Sequence, residues 1–298
     1  MKILEEKNVL GNYKIEDLYG MIGTTEEVVC TVLKYYPDEG FHVDLGNNIQ
    51  GYLKLSDFSD DAEVSKTTIL SKIGTNIRVY IDDIKDNVVY VNRVRLQNEY
   101  KKNVLSKLEI GTIFDTTVLS VAPFGVFVNM GKDILGLLPI GDVSIARFSN
   151  IKEVFKKGDT IKVIYKGMTK GGYVVSHKEL LGTWEENLND FRIGEYCQGI
   201  VRELKPYGVF IELAPNLTGL AELPENYDIH LGDSVCIQLK SINKEKLKVK
   251  LYIVSISDTP YKVKYNYKVS EGVMKSWNYT PSESIKQINT VFDGIINI

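Results

Sequence analysis

Short runs of alternating apolar and polar residues recur along the chain, separated by turn-forming Gly, Pro, Asn and Asp. In the run 246–251, for example, three lysines alternate with Leu247, Val249 and Leu251. Period-two alternation over a few residues predicts β-strands, because successive side chains of a strand point to opposite faces. We therefore expect a mainly β protein built from many short strands.

Three sequence anchors recur three times in the same order. The first is an Ile-Gly pair, found at Ile22-Gly23, Ile110-Gly111 and Ile193-Gly194. The second is a Gly followed by an apolar or aromatic pair, beginning at Gly51, Gly136 and Gly219. The third is a Gly followed by alternating β-branched residues, beginning at Gly74, Gly158 and Gly232. Each repeat contains about five strand signals, which favours a small closed barrel over a helical solenoid.

Helix signals lie between the repeats and at the chain ends. Thr183 and Glu186 have the spacing of a capping box, and apolar residues follow at helical spacing, so residues 183–191 are predicted to be a linker helix. The stretch 98–108 has a similar pattern, and an amphipathic segment from Tyr13 to Tyr19 precedes the first repeat.

The pattern changes after Ser255. Residues 261–269 alternate strictly, which predicts a strand with a basic side, and residues 282–292 carry apolar residues on one helical face before Gly294. We predict a strand-helix extension, and we expect it to dock on the third barrel because about 40 residues rarely hold a core alone.

These signals divide the chain into seven predicted segments. They are an N-terminal helical segment 1–22, a first barrel 23–97, a linker helix 98–110, a second barrel 111–181, a linker helix 182–193, a third barrel 194–255 and a small α/β extension 256–298.

The second repeat resembles a known family. Its Phe124-Gly125-Val126-Phe127-Val128 run, the later Gly136-Leu137-Leu138 and the closing 174–178 stretch are similar in order and spacing to the RNA-binding repeat of bacterial ribosomal protein S1, and more narrowly to S1-like proteins of clostridia. The resemblance is strong over 111–181, good over 194–254 and weak over 23–96. It implies five-stranded OB-fold barrels that bind single-stranded nucleic acid over the second and third strands.

Two aromatic pairs are the candidate stacking rings. Phe124 and Phe127 stand three apart, which strict alternation would place on opposite faces, and a bulge at Gly125 would turn both outward. Tyr207 and Phe210 occupy the matching places in the third repeat. Taken alone, a Phe-Gly-Val-Phe-Val run is more often a buried strand, but the repeat favours the stacking interpretation.

The first repeat departs from this pattern. Counting back from Asp44 places Glu39, Gly40, Phe41 and His42 at the aromatic motif, so a carboxylate replaces the first ring. We therefore expect this barrel to bind RNA poorly.

Charge divides the repeats further. The whole chain is nearly neutral, with 36 Lys plus Arg against 39 Asp plus Glu. Residues 23–98 hold 8 basic and 12 acidic side chains, residues 111–181 hold 9 and 6, and residues 194–255 hold 7 and 8. The candidate phosphate contacts are Lys166, Lys170, Lys178, Lys246 and Lys248, although a lysine ladder is more often a solvated strand edge.

Little in the sequence points to catalysis. His42, His177 and His230 lack metal-ligand spacing and are expected at the surface, and the three cysteines, far apart, suit a reducing compartment. The Gly167–Gly172 stretch lacks a P-loop ending and falls where a hairpin turn is needed. We expect no cofactor and no metal, no signal peptide, no membrane contact and a cytoplasmic location.

Two functional hypotheses remain open. The first is a non-catalytic binder of single-stranded RNA such as mRNA, acting in translation and possibly on the small ribosomal subunit. The alternative is a protein-interaction scaffold whose barrels, above all the acidic first one, dock partners of a ribosome or another RNA machine.

Overall fold

A computed structural model describes residues 8–60, 64–146, 150–223 and 228–294. Residues 1–7, where the sequence predicts no signal peptide, lie outside this part. The described residues form two compact units: one holds 8–107 together with 131–134, and the other holds 108–130 and the described residues from Leu135 onward.

Strands dominate the described residues. They are β1 Val28–Tyr36, β2 Gly40–Asp44, β3 Gln50–Leu53, β4 Asn76–Lys85, β5 Val88–Asn92, β6 Ile113–Ala122, β7 Gly125–Asn129, β8 Leu135–Pro139, β9 Thr160–Thr169, β10 Gly172–Ser176, β11 Tyr196–Lys205, β12 Gly208–Ala214, β13 Leu217–Ala221, β14 Ser234–Asn243, β15 Lys248–Ile256, β16 Ser276–Asn278 and β17 Asn289–Val291.

Helices are short, and two of the α-helices, α4 and α5, lie between barrels. The α-helices are α1 Ile15–Gly20, α2 Leu55–Phe58, α3 Lys66–Lys72, α4 Arg93–Asn103 and α5 Trp184–Leu188, and single 3₁₀ turns cover Leu105–Lys107, Ile140–Asp142, Ile151–Glu153 and Lys178–Leu181. The predicted capping box is present at the start of α5, where the Thr183 hydroxyl accepts the Glu186 N–H and the Glu186 carboxylate accepts the Thr183 N–H. No helix in the described ranges is long and apolar enough to cross a membrane.

The prediction of mainly β barrels is confirmed. Three closed barrels form with the strand orders β1-β2-β3-β5-β4, β10-β8-β7-β6-β9 and β11-β12-β13-β15-β14. In each barrel the third and fifth strands pair in parallel and the other neighbours are antiparallel, which is OB-type connectivity. The exact segment boundaries remain predictions.

The third sequence anchor is explained by a turn before the fourth strand. Gly74, Gly158 and Gly232 have φ values of +79°, +93° and +89°, a left-handed conformation that residues with a Cβ rarely adopt. The alternating β-branched residues that follow then enter the barrel interior, where Ile77, Ile161 and Val235 are buried.

The C-terminal extension differs from the prediction. No strand forms over 261–269 and no helix forms over 282–292; β16 pairs with β17 as a small antiparallel ribbon. Ile285, assigned to the apolar helix face, is 77% exposed, and its N–H bonds to the Glu245 carbonyl instead of to a helical turn. Tertiary contacts therefore override the 3.6-residue period here.

The extension docks on the second barrel as well as the third. Trp277 and Tyr279 are buried in the core of the third barrel. Phe292 packs with Ile113 and Ile164 of the second barrel, and the Tyr267 hydroxyl accepts the Lys162 N–H at 3.0 Å. Docking on the third barrel alone was thus an incomplete prediction.

His177 lies in the interior, contrary to the expected surface position. It is fully buried, its Nδ1–H donates to the Val143 carbonyl at 2.8 Å, and its Nε2 is 3.3 Å from the Tyr267 hydroxyl. Because Nδ1 faces a carbonyl and must donate, a neutral ring leaves Nε2 to accept from Tyr267. Burial lowers the pKa of His177 to about 4, against the raising effect of the Val143 hydrogen bond.

This buried histidine predicts acid sensitivity. A group whose pKa is lower in the folded state binds more protons when unfolded, so its stabilising contribution is present above the ordinary pKa of 6.5 and is lost as the pH falls toward about 4. We expect His177 to account for a loss of about 3 kcal/mol across that range. The measurement is urea unfolding at several pH values for wild type and for His177→Gln. The variant should be less stable than wild type at pH 7, and its free energy of unfolding should change less with pH. An equal change with pH in both proteins would contradict the assignment of this acid sensitivity to His177.

Candidate nucleic-acid interface

The first hairpin of the second barrel presents two aromatic rings side by side. Ala122 pairs with Gly125, so Pro123 and Phe124 form a two-residue turn between β6 and β7. Phe124 is 58% exposed at this turn, and Phe127 is half-buried on β7. Their ring centroids are 5.9 Å apart at 89°, an edge-to-face contact that leaves one face of the turn ring open to solvent.

The third barrel repeats this geometry. Lys205 pairs with Gly208 around another two-residue turn, where Tyr207 is 66% exposed. The rings of Tyr207 and Phe210 lie 6.2 Å apart at 85°. The two predicted pairs therefore share one arrangement, although whether they contact RNA stays a prediction.

Both rings face outward, but the expected bulge at Gly125 is not the reason. Phe124 escapes the alternation because it lies in the turn, before the strand begins. The bulge is on the facing strand, between Val118 and Ser120, and the third barrel has its equivalent between Val201 and Glu203.

Glycine is required after the first ring because the hairpin crosses close to the third strand. A Cβ on Gly125 would lie 2.5 Å from the Leu138 carbonyl oxygen, and one on Gly208 would collide with the Ala221 carbonyl. In the first barrel a Cβ on Gly40 would lie 2.6 Å from an equivalent carbonyl oxygen, that of Leu53.

The candidate lysines fall into two groups. Lys166 and Lys178 converge on the same carboxylate, with amine-to-oxygen distances of 2.7 and 2.6 Å to Asp142, and all three side chains are largely buried. A phosphate would compete there with an existing ion pair. Lys170 is exposed at the tip of the β9–β10 hairpin.

Two lysines of the third barrel are exposed near its last strand. Lys248 begins β15, whereas Lys246 precedes the strand in the turn after β14. The predicted ladder on the strand itself thus consists of Lys248 and Lys250.

A groove of about 310 Å³ opens beside Tyr207 and Phe210, lined also by Ile145 and Thr218. Its cations are already paired: Lys205 lies 2.7 Å from Glu203, and Arg202 lies 2.7 Å from the buried Glu212. The aromatic rings are therefore the exposed feature of this groove.

The first barrel carries an aromatic stripe that the sequence analysis missed. Rings of Tyr36, His42, Tyr52 and Tyr90 follow one another across β1, β2, β3 and β5, with centroid separations of 5.1, 6.1 and 5.7 Å. Tyr52 follows the second anchor glycine, which is the one local signal for its position; Tyr90 joins it only through the parallel pairing of β3 with β5.

Carboxylates border this aromatic stripe. Glu39 lies 3.0 Å from the His42 ring nitrogen. The pKa of Tyr52 is raised, first by burial and then by the charge of Glu39, by the neighbouring Tyr90 and by Asp57. The stripe is thus aromatic like the other two faces and acidic at its Glu39 end, while at its other end the Lys85 amine lies 5.8 Å from the centre of the Tyr90 ring.

Within the described ranges, no group of three or more His, Cys, Asp or Glu side chains has the arrangement of a metal site.

Tandem five-stranded barrels, two of them with an aromatic hairpin, define this chain as a multi-barrel OB-type protein. Residues 107–177 match the S1 RNA binding domain. The chain is 24% identical over 273 residues to the small ribosomal subunit protein bS1 homolog of Bacillus subtilis, covering 87% of this chain and 70% of that protein. It is 30% identical over 241 residues to bS1 of Helicobacter pylori, covering 76% of this chain and 42% of that protein. The chain thus contains an S1 domain over residues 107–177 and is distantly related to bacterial bS1.

Among solved structures, the chain is similar to a multidomain protein with nucleic acid binding domains from Streptococcus pneumoniae. The identity is 16%, the coverage is 77% of this chain and 73% of that chain, and the TM-score is 0.24.

The glycine of the aromatic hairpin predicts a mutational effect. Gly125→Ala should lower the free energy of unfolding by about 1 to 3 kcal/mol, because the new methyl group overpacks against the Leu138 carbonyl. Gly171→Ala is the matched control in the same barrel, since a Cβ there would come no nearer than 3.6 Å to another atom. Urea unfolding midpoints compare the two variants. Equal midpoints would show that the hairpin does not need glycine.

Proposed function

We propose that this protein binds single-stranded RNA without catalysis, by stacking bases on the pairs Phe124/Phe127 and Tyr207/Phe210. The observation that carries the proposal is the recurrence, in two barrels, of the same two-residue turn with an exposed ring in edge-to-face contact with a second ring. It supports a stacking platform because every base has a π-face, so such a surface tolerates any sequence.

Affinity would come from two modest sites acting together. One stacked base contributes about 1 to 3 kcal/mol, and the ion-paired lysines of the second barrel would add little before their carboxylate is displaced. Two platforms in one unit raise the effective concentration of the second contact once the first has formed.

We further propose a role in translation, with mRNA as the RNA and the small ribosomal subunit as a partner. The supporting observation is that the relatives from Bacillus and Helicobacter are named as small ribosomal subunit proteins. This chain spans less than half of the Helicobacter protein.

The stacking proposal predicts a large effect of removing one pair. Phe124→Ala with Phe127→Ala should weaken binding to an unstructured RNA by up to about 2 to 6 kcal/mol, the loss of two stacked bases. Fluorescence anisotropy with a labelled 24-nucleotide oligouridylate at fixed salt measures the dissociation constant.

The control variant is Phe124→Tyr with Phe127→Tyr, which keeps both rings and should retain binding. Wild-type affinity in the double alanine variant would refute stacking at this hairpin. Equal losses in the alanine and tyrosine variants would point to a packing role instead.

A second candidate function, protein docking by the first barrel, is favoured by the acidic aromatic stripe. Glu39 at one end of the four rings repels a phosphate backbone, and the rings suit the cationic side chains of a basic protein segment, through cation–π contacts such as the one that Lys85 makes with Tyr90. This candidate can coexist with RNA binding by the other two barrels.

The docking candidate predicts a separation of functions in the full chain. Tyr52→Ala with Tyr90→Ala should leave affinity for the 24-nucleotide RNA within about twofold, while co-sedimentation with purified small ribosomal subunits falls by about fivefold or more, the equivalent of one lost cation–π or aromatic anchor. Tyr52→Phe with Tyr90→Phe is the control that keeps the rings. Loss of RNA affinity with unchanged subunit binding would show instead that the first barrel is RNA-competent.

A further inference from the structure

The fourth strand of every barrel contains one unpaired residue, at matching positions. These bulged residues have no partner on the fifth strand: Asp82 between Ile81 and Asp83, Lys166 between Tyr165 and Gly167, and Lys240 between Leu239 and Ser241. Such a bulge re-aims the side chain that it carries. The three barrels therefore direct one charged group each toward the outer face of the fifth strand.

In the first two barrels this charged group is held by an opposite charge. Asp82 accepts from Arg95, and Lys166 lies 2.7 Å from Asp142. In the third barrel the amine of Lys240 lies over the ring of Tyr252 instead, 4.4 Å from its centroid. The pKa of Lys240 is raised, first by its hydrogen bond to the Tyr252 hydroxyl and also by Glu222, so the amine is charged at neutral pH.

Tyr252 is exposed, whereas the matching residue of the second barrel is buried. Counted from the parallel pairs Leu137 with Val174 and Leu220 with Lys250, the residue that matches Tyr252 is Ser176. Ser176 is fully buried, whereas Tyr252 is 48% exposed. At this position of the fifth strand the third barrel therefore has an exposed tyrosine with a cation over its ring, whereas the second barrel has a buried serine.

This surface is continuous with the aromatic pair of the same barrel. Phe210 pairs with Leu220, and Leu220 pairs with the exposed Lys250, so the three form one row across β12, β13 and β15. Tyr252 is two residues beyond Lys250 on the same side of β15, where Val249 and Leu251 face the core. From strand spacing and rise, Phe210 and Tyr252 are about 12 Å apart along the barrel surface.

We propose that Tyr252, with Lys240 and Lys250, is a second stacking site of the third barrel for a base of single-stranded RNA whose phosphates the two lysines contact. The inference rests on the proposed function and extends it from the hairpin to the fifth strand. A separation of about 12 Å is within one bound strand, since OB-type barrels cover about 4 to 16 nucleotides.

The charge around Tyr252 selects a nucleic acid over a protein partner. Lys240, Lys248 and Lys250 are all exposed on this side of the barrel, against the nearby carboxylate of Glu222. A polyanion complements such a surface, which has three exposed lysines where the first barrel has the single Lys85 over Tyr90 and the carboxylate of Glu39 beside His42.

Anisotropy with the full chain and two labelled oligouridylates, of 24 and 6 nucleotides, tests the inference. Tyr252→Ala should weaken binding of the 24-nucleotide RNA by at least about fivefold, the minimum expected for one stacked base, and Tyr252→Phe should stay within about twofold of wild type. Lys240→Gln should weaken binding and reduce the salt dependence by about one counterion. The 6-nucleotide RNA should be less sensitive to Tyr252→Ala, because it can occupy the second barrel alone.

Tyr19→Ala is the matched control, because Tyr19 is 51% exposed on α1 of the first barrel and should not affect RNA affinity. Photocrosslinking of a 24-nucleotide RNA containing 4-thiouridine should label the peptide that holds Tyr252. Wild-type affinity of Tyr252→Ala together with a loss in the Phe124/Phe127 alanine variant would overturn this inference and leave the proposed function standing. Retained affinity in both variants would overturn both, and a Tyr252 effect confined to binding of a protein would assign the surface to a different partner.

Discussion

The close crossing of the first hairpin over the third strand is the constraint on which the barrels and their candidate interface depend. At Gly40, Gly125 and Gly208 the backbone passes so near a carbonyl of the third strand that a side chain cannot fit. The same crossing leaves the residue before the glycine exposed at the turn. A ring at that place is therefore exposed by the geometry that holds the fold together, and the identity of that residue sets the surface: Phe124, Tyr207 or the carboxylate of Glu39.

A second constant feature, the bulge in the fourth strand, shows how one scaffold supports three different outer faces. The backbone irregularity is the same in each barrel, but its side chain ends on Arg95, on Asp142 or over the ring of Tyr252. Opposite charges neutralise the first two groups. The bulged residue and its partner both differ between barrels, yet each barrel is closed, since the bulged residue has no partner in the strand ladder.

The sequence was sufficient for features that repeat and insufficient for features that depend on one tertiary contact. Anchor glycines and alternation predicted three five-stranded barrels, and the Thr183 capping box predicted a helix, because these signals are local. The same reasoning gave a wrong prediction for the C-terminal extension. Ile285 and its apolar neighbours have a helical period, but their backbone groups bond to Glu245 and to β16. His177 and the ring contact between Tyr52 and Tyr90 were missed because their partners lie far away in sequence.

The irregular tail has a consequence for RNA binding because it joins the two barrels that carry aromatic hairpins. Tyr261 donates to the Leu213 carbonyl of the third barrel at 3.1 Å, and six residues later Tyr267 accepts from Lys162 of the second. The segment 261–269 forms no regular strand, and its irregular course brings it into contact with both barrels. Two platforms held in one unit lose less conformational entropy on binding a common strand than two joined by a free linker. Contact with both barrels, where docking on the third alone was predicted, is thus what suits the two platforms to act on one strand.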